Sequence, residues 1–202
     1  MNTTNELLSL LKRSDALCIV GKGGIGKTRV LESLYRTMEE SWRGNVLFIH
    51  APSRVRESYP SFIVNERREI DEMRDEIDAL EKVEGIREKV NSSKEILGII
   101  NTFLRNGVIN KGSVLFIDSL DALMDTSDMR TLLLLLEEMI ETKEIKIVIS
   151  VSTILGVRAV ETYLTKVRFI EVKRDDKEKV KIEEKERSEE VYSFFLSMME
   201  DL

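Results

Sequence analysis

Residues 21 to 28 read Gly21-Lys22-Gly23-Gly24-Ile25-Gly26-Lys27-Thr28, a complete G-x-x-x-x-G-K-[ST] loop directly behind the apolar run Leu17-Cys18-Ile19-Val20. The run has the length of a buried strand. Arg29 to Glu40 places Val30, Leu31, Leu34 and Met38 on one side, as a helix does. Strand, glycine loop and helix in that order form a cradle for phosphate. With four glycines in eight residues, successive backbone N–H groups can converge on an anion without Cβ clashes, and the helix adds its positive N-terminal end. In such a loop Gly21 to Gly26 and the flanking Arg29 surround the phosphates, Lys27 reaches the β and γ phosphates, and the Thr28 hydroxyl is a ligand for Mg²⁺. The expected cofactors are therefore ATP and Mg²⁺, with GTP left open as the nucleotide.

The rest of the chain completes an α/β sheet. Val46-Leu47-Phe48-Ile49-His50 is expected to be a second strand, Val114-Leu115-Phe116-Ile117-Asp118 a third and Ile145 to Ser150 a fourth, with helices between them. Strands that alternate with helices imply parallel pairing. Near the end, Val167 to Val172, Val180 to Glu186 and Val191 to Leu196 read as antiparallel strands joined by charged turns. Glu6 to Lys12 is expected to form a short helix flanking the sheet edge. The predicted fold is a three-layer α/β/α domain over 1–202, with its core about 17–196, a mostly parallel central sheet and antiparallel C-terminal strands. Asn65 to Lys82 carries Ile70, Met73, Ile77 and Leu80 at helical spacing, the pattern of a solvated amphipathic helix. Ser92-Ser93-Lys94-Glu95 supplies a capping box for a helix that ends near Gly107.

Composition narrows the partners. The net charge is −6, so no basic field covers the domain, and single-stranded DNA as a partner would need a local patch. Cys18, the single cysteine, falls in the first strand as a small buried residue, which suits a reducing compartment. No charged leader with an apolar core opens the chain and no apolar stretch nears the roughly 18 residues that span a bilayer, so a cytoplasmic location is expected. Charged residues make up 34% and glutamine is absent, a composition like that of hyperthermophile proteins.

A metal beneath a phosphate loop needs an acid opposite it. Asp118, at the carboxyl end of a buried strand, has that position: it would hold a water on Mg²⁺ and fix the Thr28 geometry. Asp121 and Asp125 read as turn and capping residues. The stretch Val114-Leu115-Phe116-Ile117-Asp118-Ser119-Leu120-Asp121-Ala122-Leu123 resembles the Walker B segment of the RecA-like P-loop ATPases, in particular their small archaeal KaiC-like and RadA-like branch. Lys185-Glu186-Arg187-Ser188 and Tyr192-Ser193-Phe194 are similar to the closing strands of KaiC-type domains. The resemblance implies an ATPase that works in a homo-oligomer or with a partner recombinase or regulatory protein. It would make Lys185 and Arg187 trans-acting cations at a neighbour's nucleotide. It also implies a catalytic glutamate near the end of the second strand, where this chain has His50-Ala51-Pro52-Ser53, with Glu57 the nearest carboxylate. Ser150, Ser152 and Thr153 fall where that family senses the γ-phosphate.

Two alternatives stay open. One is an ATP-binding module with little or no hydrolysis. The other is a partitioning or MinD-type dimeric ATPase, whose deviant K-G-G-x-G-K-T loop Lys22 to Thr28 also satisfies. Against it, Ile49-His50 and Ser119-Leu120 stand where that type has an aspartate and prolines.

Overall fold

The computed structural model describes residues 3–50, 93–123, 129–174, 180–185 and 193. The expected helix 65–82, Glu57, Arg187 and all of the expected strand 191–196 except Ser193 lie outside the described residues; Ser193 itself is helical and not extended.

In chain order the elements are α1 (Thr3–Arg13), β1 (Ala16–Val20), α2 (Lys27–Ser41), β2 (Val46–His50), α3 (Ser93–Arg105), β3 (Val114–Asp118), a 3-10 turn (Leu120–Leu123), α4 (Met129–Lys143), β4 (Lys146–Val151), α5 (Ile154–Tyr163), β5 (Val167–Arg174) and β6 (Val180–Lys185). The strands form one sheet in the order β2-β3-β4-β1-β5-β6. Every pair is parallel except β5 with β6. β1 and β3 are buried at every position, which is why they read as continuous apolar runs and not as alternating ones.

The pleat sorts their side chains onto two faces. Leu17, Ile19, Phe48, Phe116, Val148, Ile170 and Val172 pack under α1 and α2, where Leu7, Leu11, Leu31, Leu34 and Met38 meet them. Cys18, Ile49, Ile117, Ile149 and Phe169 turn to the other face, covered by α3, α4 and α5. The apolar α4 is thereby accounted for, with Leu132, Leu133 and Leu136 fully buried while Leu134 stays 47% exposed. Helix α1 packs on α2 and also reaches β6, the edge strand, where the Thr3 hydroxyl donates to the Val180 carbonyl at 3.4 Å; Leu7 and Leu11 are fully buried beneath it.

The α2 face is pinned by three rings. Phe48 and Phe116 stack with centroids 5.8 Å apart, and Tyr35 of α2 meets both edge-on at 5.6 and 6.0 Å. Such pairs add roughly 0.5–1.5 kcal/mol beyond the area they bury. Here they fix α2 over the paired strands β2 and β3.

At the amino edge of the sheet, Trp42 Nε1 donates to the Gly112 carbonyl at 2.8 Å and Asn45 Nδ2 to the Val108 carbonyl at 2.7 Å. A Cβ on Gly44 would lie 2.2 Å from the Gly112 oxygen, so two backbones cross where only hydrogen fits. Gly44→Ala should destabilise by about 1–3 kcal/mol as the loops part, lowering the thermal midpoint by several degrees while nucleotide affinity stays unchanged. Calorimetric unfolding checks this, and a wild-type midpoint would refute the crossing.

Candidate nucleotide site

The site sits where the chain changes direction. β1 is followed by α2 on one face and its neighbour β4 by α5 on the other, so a crevice opens between their carboxyl ends, the usual place for a ligand in such sheets. The 21–26 loop fills it from the β1 side. Gly24 and Gly26 have φ of 76° and 113°, left-handed values that a side chain would strain. Gly23 and Gly24 have nothing within 4 Å of a notional Cβ, so no other described part of the chain crowds the loop at these two positions. α2 starts at Lys27 without a side-chain cap, so its first N–H groups remain available to a ligand.

Lys27 folds back across the loop. Its Nζ donates to the Gly21 carbonyl at 2.7 Å and to the Lys22 carbonyl at 2.9 Å, and the residue is only 6% exposed. Burial lowers its pKa, and Asp121 and Asp118 partly oppose that shift. An ammonium held this way is costly to keep in place unless a multivalent anion joins it. Lys22 and Arg29 are exposed, Gly21 is buried, and Ile25 and Thr28 are half-buried.

Opposite the loop lies Asp118, fully buried. Thr28 Oγ1 donates to its Oδ2 at 2.7 Å. His50 Nδ1 lies 2.7 Å from the same oxygen; a carboxylate only accepts, so Nδ1 carries the proton. The Ser150 hydroxyl donates to Oδ1 and in turn accepts the Ser119 N–H at 2.8 Å. That bond steadies the left-handed Ser119, whose φ is 57°. The convergence follows from register: His50 pairs with Asp118, and Phe48, Phe116 and Val148, each two residues earlier, all face α2. Burial alone would raise the Asp118 pKa, but hydrogen bonds from His50, Ser150 and Thr28 outweigh it and hold the carboxyl below its ordinary value.

The structure thus joins Thr28 to Asp118 and adds His50 and Ser150 as supports. The signal for both was strand parity, which becomes usable once the register is known. Ser150, expected at the γ-phosphate, has its hydroxyl engaged by Asp118 and Ser119. The Ser152 N–H donates to Asp121 at 2.6 Å and Thr153 caps α5, so the Asp121 carboxylate ties its 3-10 turn to the end of β4 and does not bond within the turn itself. Lys185 forms ion pairs within the chain, 2.8 Å from Glu183 and 3.2 Å from Glu171, with 12% of its side chain exposed. Cys18 is buried and its thiol pKa is pushed well up, chiefly by burial, which makes it unreactive.

The Thr28 hydroxyl and the Asp118 carboxylate are hard oxygen donors, and they suit Mg²⁺ held largely by phosphate and water. Among the described residues no group of three or more His, Cys, Asp or Glu could form an all-protein cage. None of the described helices is long and apolar enough to cross a membrane.

No curated protein sequence matches the chain. Its backbone is similar to Drosophila ORC bound to GC-rich DNA and Cdc6, with a TM-score of 0.46 and 14% identity over 83% of this chain and 53% of that one. It is also similar to a KaiC-like protein from the hyperthermophilic archaeon Pyrococcus horikoshii, with a TM-score of 0.49 and 15% identity over 86% of this chain and 80% of that one. A third likeness is to a Walker-type ATPase of Pyrococcus abyssi, with a TM-score of 0.44 and 12% identity over 86% and 53%. The chain spans about half the length of the first and third. The sequence model of the ATPase family associated with various cellular activities matches residues 17–172. That match covers the loop, α2, Asp118 and every strand as far as β5, and by it the chain belongs to the AAA family of P-loop ATPases.

Proposed function

We propose that this chain binds and slowly hydrolyses Mg-ATP at the carboxyl edge of its sheet and works as a regulatory ATPase within an oligomer or beside a partner protein. The observation that carries the reading is the 2.7 Å bond from Thr28 to Asp118, which spans the crevice that the loop opens. Gly23, Gly24 and Gly26 supply the backbone cradle and Lys27 neutralises the phosphates. Thr28 and, through a water, Asp118 would hold Mg²⁺, which when bound offsets charge on the β and γ phosphates. His50 and Ser150 keep the carboxylate aimed at the threonine. The KaiC-like and RadA-like arrangement, with Lys185 and Arg187 reaching a neighbouring nucleotide, is the finer form of this proposal; its support is the sequence Lys185-Glu186-Arg187-Ser188.

A second reading, binding without turnover, is favoured by one observation: among the described residues, Asp118 at the end of β3 and Asp121 in the turn behind it are both tied up in hydrogen bonds. Glu57 is the further candidate for orienting water. Calorimetric titration with Mg-ATP combined with a phosphate-release assay, with and without single-stranded DNA, separates the two. Micromolar binding with release that disappears in Asp118→Asn supports the enzyme. Binding with no release at any protein concentration supports the module, and no heat from folded protein would defeat both.

A further inference from the structure

The geometry points to Arg174 as an additional phosphate-binding cation, supplied in cis from the end of β5. This deepens the Mg-ATP reading and rests on it. Val20, the last residue of β1, pairs with Glu171, so β5 continues past β1 through Val172, Lys173 and Arg174 and runs beside the loop. Three contacts mark that course. The Val172 carbonyl lies 2.9 Å from a notional Cβ on Gly21, and Val180, which pairs with Arg174 across the β5–β6 ladder, lies 3.6 Å from one on Gly26. Between them, Arg174 Nη2 reaches the Gly24 carbonyl at 3.5 Å.

That last contact is long for a hydrogen bond and joins an exposed guanidinium to a neutral oxygen. A guanidinium has five donors in a rigid fork, and a phosphate oxygen is a far better partner for it than a peptide carbonyl. With a triphosphate in the loop, Arg174 has that partner within the reach of its own side chain. The strand beneath it is firmly placed. On the opposite face Lys173 lies 3.0 Å from Glu171 and 2.8 Å from Glu183, and Lys185 joins the same two carboxylates. These pairs tie β5 to β6 and limit how far Arg174 can drift from the loop. The recognised group is the phosphate chain, not the base.

Titration calorimetry with Mg-ATP and with inorganic tripolyphosphate tests this on wild type, Arg174→Ala and Arg174→Gln. Glutamine removes the charge and is two bonds too short to reach the Gly24 carbonyl, so the dependence on salt, which a lost phosphate contact makes shallower and a lost loop prop does not, separates the two roles. Loss of one charge-assisted bond corresponds to a weakening of about tenfold or more. It is expected for both variants and both probes, with a shallower dependence on salt and melting temperatures like wild type without ligand. Wild-type affinity in Arg174→Gln would overturn the proposal. So would a loss confined to ATP, since the arginine would then be reading the nucleoside. If the wild-type protein binds neither probe, the nucleotide site itself is refuted; if it binds and both variants match it, only the role of Arg174 is.

Discussion

Lys27→Ala is expected to lower ATP affinity by about 10²–10³-fold, the loss that follows when one member of a buried, hydrogen-bonded charge pair is truncated. Lys27 is 6% exposed and its ammonium bridges the Gly21 and Lys22 carbonyls. It thereby places positive charge at the mouth of the loop and ties the loop's first turn to α2. Water cannot replace it, because a water brings no charge to a polyanion. The unliganded protein should change little. Burial already lowers the pKa of this lysine, so alanine removes a desolvation cost, but the Gly21 and Lys22 carbonyls lose their donor, and with the two effects opposed the melting temperature should stay near that of wild type. Wild type should gain stability on adding Mg-ATP in proportion to the logarithm of ligand concentration, a gain that the variant reaches only at about 10²–10³-fold higher concentration. Thermal melts with and without nucleotide, together with calorimetry, check both halves. ATP affinity within threefold of wild type would sink the assignment.

The loop was legible because its chemistry is local: glycines at fixed spacing between an apolar run and an amphipathic helix fix strand, turn and helix together. The strands β1 to β4 were legible as apolar runs for the same reason. Their order was not. Fully buried parallel strands such as Leu17-Cys18-Ile19-Val20 and Ile147-Val148-Ile149 present only apolar side chains, and nothing in such a run specifies a neighbour. The placement of β1 between β4 and β5 therefore emerged only from the structure. The supports of Asp118 were hidden in the same way. His50 ends its strand as an isolated titratable residue, and Ser150 ends another with a hydroxyl that reads equally as a phosphate contact. Only the pairing of His50 with Asp118, and the parity that sends all three toward α2, reveals one network. Glu171 shows the converse. It lies in a segment dense with charge, yet it is 1% exposed and its nearest described cations are Lys173 and Lys185.

Asp118→Asn tests that network, and its expected effects are almost as large as those of removing the lysine. Three donors, the Thr28 hydroxyl, His50 Nδ1–H and the Ser150 hydroxyl, converge on two carboxylate oxygens. A carboxamide has the same shape but only one acceptor, and its NH₂ would face a donor. The Ser150 hydroxyl has little freedom to turn away, because it also accepts the Ser119 N–H. At least one buried donor is then left unpaired, at a cost of about 1–3 kcal/mol, or several degrees of melting temperature for a chain of this length. The loss should depend on pH with a definite sign. Since the folded-state pKa of Asp118 is depressed, its stabilisation is complete above the ordinary carboxylate value of about 3.9 and fades as pH falls through the lower folded value. Wild type and variant should therefore differ most near pH 7 and converge in acid. Metal dependence should change as well. Wild type is expected to prefer Mg-ATP to ATP in EDTA, and loss of the residue that fixes the metal's water should shrink that preference about 10–100-fold. A variant that melts like wild type at pH 7 and keeps the full preference for Mg-ATP would show that the buried carboxylate neither holds the strand ends together nor faces the metal.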